Sequence, residues 1–136
     1  MKNTKRVITV FAAVTCVAVL SLGVCASSHT TTLGTSNGSL VYNTTDSEVV
    51  NVGSHTCHYR VSSFRFHGGM PENTFPAGKS FTVRFANIGI SKKYTSVDTN
   101  YKSKSYSVSS QKTVYAGVES NATQGVTVYS SWDPNW

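Results

Sequence analysis

Lys79-Ser80-Phe81-Thr82-Val83-Arg84-Phe85-Ala86-Asn87 alternates large apolar residues with small or polar ones. Phe81, Val83 and Phe85 fall on one face of the extended chain, and Thr82, Arg84 and Ala86 on the other. That two-residue period is the mark of a half-buried strand. The preceding Phe75-Pro76-Ala77-Gly78 is a turn that delivers the chain into it: Pro presets φ, and Gly accepts φ > 0.

Outward from this stretch the same period recurs. Strands are expected over residues 40–43, 48–52, 58–66, 79–87, 105–110, 112–119 and 125–131. Within 58–66 the apolar phase changes, with Tyr59 and Val61 first and then Phe64 and Phe66. A bulge at Ser62-Ser63 accounts for the switch, because one extra residue moves every later side chain to the other face. Gly68-Gly69-Met70-Pro71 then ends the strand. From residue 27 onward no stretch carries apolar residues at helical spacing over three turns. Several short strands joined by turns specify an all-β chain, a small antiparallel β-sandwich or barrel. Between Tyr94 and Ser131, Ser, Thr, Tyr, Val and Lys dominate and alternation weakens. Strands of this kind suit a solvated sheet face; membrane hairpins show a similar weak alternation.

The N-terminus reads as an export signal. Met1-Lys2-Asn3-Thr4-Lys5-Arg6 is basic, residues 7–22 are largely apolar, and Gly23-Val24-Cys25-Ala26 supplies small residues for cleavage. The expectation is a secretory signal peptide over 1–26, cut after Ala26, and a secreted product. The apolar run is short for a membrane span, and no later segment is apolar for long enough to cross a bilayer. Leu22-Gly23-Val24-Cys25 offers an alternative, a lipobox that would anchor the chain by lipid at Cys25, although Val24 stands where that motif takes Gly, Ala or Ser. Residues 27–38 (SSHTTTLGTSNG) hold one large apolar residue, Leu33, and are expected to form a flexible arm. Residues 39–136 are expected to form the single β-sandwich domain.

Charge and chemistry narrow the functional classes. The whole chain carries a formal +6; loss of Lys2, Lys5 and Arg6 with the signal leaves nine basic against six acidic residues, or +3. That excess falls short of a nucleic-acid footprint and is compatible with weak attraction to an anionic wall or membrane surface. Two of the three cysteines lie in the signal, so Cys57 has no partner for an internal disulfide and is expected to be buried. His55-Thr56-Cys57-His58 is the one cluster of metal-competent side chains, but no standard zinc spacing is present. The carboxylates Asp46, Glu48, Glu72, Asp98, Glu119 and Asp133 are scattered, with no pair marked for glycosidase work. There is no G-x-S-x-G, P-loop or HExxH motif. A non-enzyme without metal or cofactor is the expectation.

Aromatic residues beside basic ones are the remaining candidates. Lys92-Lys93-Tyr94 and Tyr101-Lys102-Ser103-Lys104-Ser105-Tyr106 set ammonium groups next to amphipathic rings, a surface suited to sugar rings and phosphates. The same lysines would equally protect an exposed sheet edge. Trp132 and Trp136 close the chain, either docked on the sheet or offered as an exposed anchor. The candidate ligand-binding residues are therefore Tyr101, Lys102, Lys104, Tyr106, Trp132 and Trp136.

Val114-Tyr115-Ala116, the run Val126-Thr127-Val128-Tyr129-Ser130-Ser131-Trp132 and the strand Ser103-Lys104-Ser105-Tyr106-Ser107-Val108 together resemble the C-terminal part of the lactococcin 972 family of secreted bacteriocins. The resemblance covers the C-terminal third. The chain departs from that pattern in an additional segment over 39–85 and in running on through Asp133-Pro134-Asn135-Trp136. The resemblance implies an exported β-sandwich that binds a cell-wall precursor of sensitive bacteria without catalysis. From the residues alone two readings stand: a secreted antibacterial acting at the target cell envelope, and a surface or wall-associated adhesin or carbohydrate-binding domain. In both, the partner is an envelope component or surface glycan.

Overall fold

The computed structural model describes residues 28–136. The signal peptide expected over 1–26 and the lipid site expected at Cys25 lie outside the described residues. Eight strands follow one another: β1 (His29–Thr35), β2 (Val41–Val50), β3 (Gly53–Phe66), β4 (Phe81–Phe85), β5 (Ile90–Tyr94), β6 (Lys102–Val108), β7 (Lys112–Ser120) and β8 (Val126–Asp133). They form two antiparallel four-stranded sheets, ordered β1-β8-β3-β6 and β2-β7-β4-β5. The all-β sandwich read from the sequence is the fold. No helix of the described residues is long and apolar enough to cross a membrane.

The stretch around Phe81 behaves as its period requires. Phe81, Val83 and Phe85 are buried and Thr82 and Arg84 are not, on a strand paired to both β5 and β7. The bulge also falls where the phase change placed it. Val61 pairs with Ser130 and Ser63 with Tyr129, leaving Ser62 as the extra residue, its hydroxyl donating to the Tyr129 carbonyl at 3.0 Å. Tyr59, Val61, Phe64 and Phe66 consequently all face the core. Phe64, Phe66, Phe75 and Phe81 meet there as a cluster of rings, with Phe75 stacked on Phe81 at 5.6 Å. Such pairs contribute about 0.5–1.5 kcal/mol each beyond burial of their area.

Two expectations are corrected. Residues 29–35, expected within a flexible arm, form β1, an edge strand paired along its whole length with β8 from His29↔Trp132 to Thr35↔Val126. Counting large apolar residues undervalued this segment. Threonine is β-branched and suits a pleated surface, and Thr31, Leu33 and Thr35 alternate inward onto the core. The second correction is β5, a strand that side-chain alternation does not mark. Its Ile90 and Tyr94 are buried while Ser91, Lys92 and Lys93 stay exposed, so little apolar signal marks it. As the outer strand of its sheet it carries lysines, which discourage pairing with another chain.

The segments expected at 40–43 and 48–52 are one strand, β2, interrupted by a register shift between Tyr42 and Ser47. That irregularity turns Asp46 toward β1. Asp46 accepts from Thr31 Oγ1 and from His29 Nδ1, and His29 Nε2 lies 2.8 Å from Glu48. Since β1 and β2 are edge strands of different sheets, this network closes one open side of the sandwich.

Candidate functional site

The outward face of the first sheet carries the candidate site. Along β3 the residues that alternate with buried Cys57, Tyr59 and Val61 are Thr56, His58 and Arg60, which point away from the core. Tyr101, just before β6, stacks on His58 with ring centroids 4.4 Å apart and planes 11° from parallel. The Arg60 guanidinium carbon sits 4.7 Å from the Tyr101 ring centroid, a cation–π arrangement. Trp136 contacts His58 from the chain end, centroids 4.3 Å apart. Tyr101 is 48 % exposed and Trp136 65 % exposed, so these rings form a shelf open to solvent.

The C-terminal tail is held in place by both sheets. Tyr106 Oη donates to the Pro134 carbonyl at 2.6 Å. Asn135 Nδ2 donates to Glu48 Oε1 at 3.1 Å and to the Val49 carbonyl at 3.3 Å. Asp133 Oδ1 accepts the Asn135 backbone N–H at 2.8 Å, bending the chain after β8. These contacts from β6, β2 and β8 fix the tail that bears Trp136.

A cavity of about 140 Å³ opens at the foot of the shelf, lined by Ser28, His58, Tyr101, Trp132, Asp133 and Trp136. An apolar cavity of about 150 Å³ is large enough for benzene, so this one matches a single ring or a small polar group with its apolar neighbours. Trp132 is only 1 % exposed and forms its inner wall. Its indole N–H donates to Thr31 Oγ1 at 3.3 Å, and its ring stacks on His29. Asp133 is 3 % exposed, and its Oδ2 has no hydrogen-bond partner among the described residues.

Of the residues expected to bind ligand, the structure brings together Tyr101, Trp132 and Trp136. Lys102, Lys104 and Tyr106 pair across the ladder with Tyr59, Cys57 and His55, on the side of the sheet opposite His58. Lys102 is half-buried in an ion pair with Asp98 at 2.7 Å, which draws the Asp98 carboxyl below its usual range. Lys104 is exposed on the edge strand β6. Burial, with the nearby Cys57 and Asp133 adding to it, pushes the Tyr106 phenol up to about 12, and its hydroxyl is committed to the tail. Tyr94, beside Lys93, is buried and stacked on Phe81 rather than presented.

His58, Arg60 and Asp133 belong to the site and were not read from the sequence as binding residues. Their signal was strand parity: once β3 is in register, His58 faces Asp133 across the β3–β8 ladder. The same parity sets His58 on the face opposite His55 and Cys57. Cys57 is buried, its thiol pushed up to about 12 by burial and by the Asp133 charge. His55 Nε2 meets the Asn51 carbonyl at 2.8 Å, and His58 is on the shelf.

A larger hollow of about 440 Å³ lies on the other sheet among Ser39, Thr82, Lys93, Glu119 and Asn121. It has no aromatic wall, and Glu119 there accepts from Arg84. Comparison with protein-family models, with curated proteins and with solved structures returns no match for the chain.

Proposed function

We propose that this chain is a secreted, non-catalytic protein that acts as a bacteriocin-like antibacterial by binding a glycan-bearing component of the bacterial cell envelope. The observation that carries the reading is the open shelf of Tyr101, His58 and Trp136 with Arg60 alongside. Exposed rings held on a rigid sheet can bind the apolar face of a sugar by stacking, and an adjacent guanidinium adds attraction for an anionic substituent. Exposed aromatic groups clustered on one face of a β-sheet have no role in the core and are the usual anchors of a binding surface. The export signal read in residues 1–26 and the C-terminal resemblance to a secreted bacteriocin family support the antibacterial part.

The test is a spot assay of the protein purified after expression of the full chain, on lawns of diverse bacteria, beside a pull-down on cell walls from the same strains. Retention on walls together with clearing zones is the expected result. Retention without clearing on any strain favours the second reading, a wall-associated adhesin or carbohydrate-binding domain using the same shelf. A protein that neither clears lawns nor stays on walls or surface glycans rules out both.

A further inference from the structure

We propose that the cavity beside Asp133 receives a primary ammonium group of the envelope ligand, with the rings of Tyr101, Trp132 and Trp136 around it. This rests on the envelope-binding reading and adds the chemistry that would confer selectivity. Asp133 is 97 % removed from solvent at the cavity wall, yet only its Oδ1 is engaged, by the Asn135 backbone N–H. Its Oδ2 meets no donor, and no Lys, Arg or His nitrogen of the described residues forms an ion pair with it.

A buried carboxylate without a partner is costly, and the cost falls sharply when a cation is brought to it. The rest of the lining is Ser28, His58, Tyr101, Trp132 and Trp136; aromatic rings favour a cation over an anion, as the Arg60 guanidinium 4.7 Å from the Tyr101 ring centroid already illustrates. A hydroxyl would fill the lone pair but leave the charge uncompensated. A quaternary ammonium would match the charge but bring no N–H to Oδ2. A hard metal ion needs six or more oxygen ligands and finds one carboxylate here. A primary ammonium supplies charge and donor together, as a charge-assisted hydrogen bond.

The ammonium could be borne by an amino sugar or by an amino acid esterified to an envelope polymer, and the probes separate these sources. Glucosamine and alanine methyl ester are titrated at about pH 7, where both are largely protonated, into the protein purified after expression of the full chain. Tryptophan fluorescence and calorimetry report binding. N-acetylglucosamine, in which the charge is removed, serves as the control. At least one amine is expected to bind, and the one that binds identifies the source. Loss of the charge should weaken binding at least about tenfold, both in N-acetylglucosamine and in the Asp133→Asn variant. Trp136→Ala, at an exposed chain end, should weaken the amine at least about twofold and provides a second arm if Asp133→Asn does not fold. Equal affinity for glucosamine and N-acetylglucosamine, or no binding of either amine, overturns the inference. If the protein still adheres to walls in that case, the envelope-binding reading survives and only the ammonium site is lost.

Discussion

Trp132 and His29 stack with ring centroids 4.5 Å apart and planes 19° from parallel. The contact joins the last strand to the first. The same imidazole continues across to β2 through Asp46 and Glu48, while Thr31 links the Trp132 indole N–H to Asp46. One ring thus ties two sheets together at their edges, and its protonation state bears on the stability of the whole sandwich.

Burial acts to lower the His29 pKa, but its bonds to Glu48 and Asp46 and their charges outweigh that, holding the imidazolium above its ordinary 6.5. A histidine whose folded pKa is raised adds stability that is fully present below about 6.5 and is lost as pH rises through the folded value. The thermal midpoint should therefore fall as pH rises above about 6.5, and His29→Gln should flatten that slope. Thermal melts across that rise in pH check it; an unchanged slope in the variant would assign the pH dependence elsewhere.

The two tryptophans should separate cleanly. Trp132→Ala opens a buried void and breaks the bond to Thr31, with an expected cost of about 3–5 kcal/mol in denaturant unfolding. Trp136→Ala removes an exposed ring and should stay within about 0.5 kcal/mol of the parent. Its retention on cell walls should nonetheless drop, because the most exposed of the shelf's three rings is gone. Equal wall retention in parent and variant would place the binding surface away from the tail.

Cys57 should resist alkylation in the native protein. Its thiol is fully buried and pushed up to about 12, so almost no thiolate exists at neutral pH. Iodoacetamide labelling followed by mass spectrometry should show modification only once denaturant unfolds the chain. Rapid labelling under native conditions would mean that β3 opens locally.

Gly125 is the turn residue before β8, with φ +83°, and a Cβ there would lie 2.0 Å from the Thr35 carbonyl oxygen. Both the left-handed backbone and the contact with the end of β1 oppose a side chain. Gly125→Ala should cost about 1–3 kcal/mol, read as a lower denaturant midpoint at unchanged slope. A variant as stable as the parent would show that the β1–β8 end adjusts freely.

Legibility followed local period. Phe81, Val83 and Phe85 could be placed from neighbours alone, because alternation along one strand reports one buried face. The Ser62 bulge was legible for the same reason, as a break in that alternation. His29–Thr35 was not, since threonines count little by hydropathy and the strand that covers them, β8, lies about a hundred residues later. Tyr101 and Trp136 were marked by residue type, whereas Lys102, Lys104 and Tyr106 were grouped with them only by proximity in sequence. In a strand, neighbours point to opposite faces, and parity divided that group.

By itself the sequence determined the class of fold and most strand positions, because both follow from side-chain alternation and from the turn chemistry of Gly and Pro. Tertiary structure alone decided strand order, since the chain changes sheets at every connection except β4 to β5 and no local pattern encodes which strands meet. It also decided the site. His58, Tyr101, Asp133 and Trp136 come from four points along the chain, and only long-range pairing of β3 with β6 and β8 sets their rings and carboxylate around one cavity.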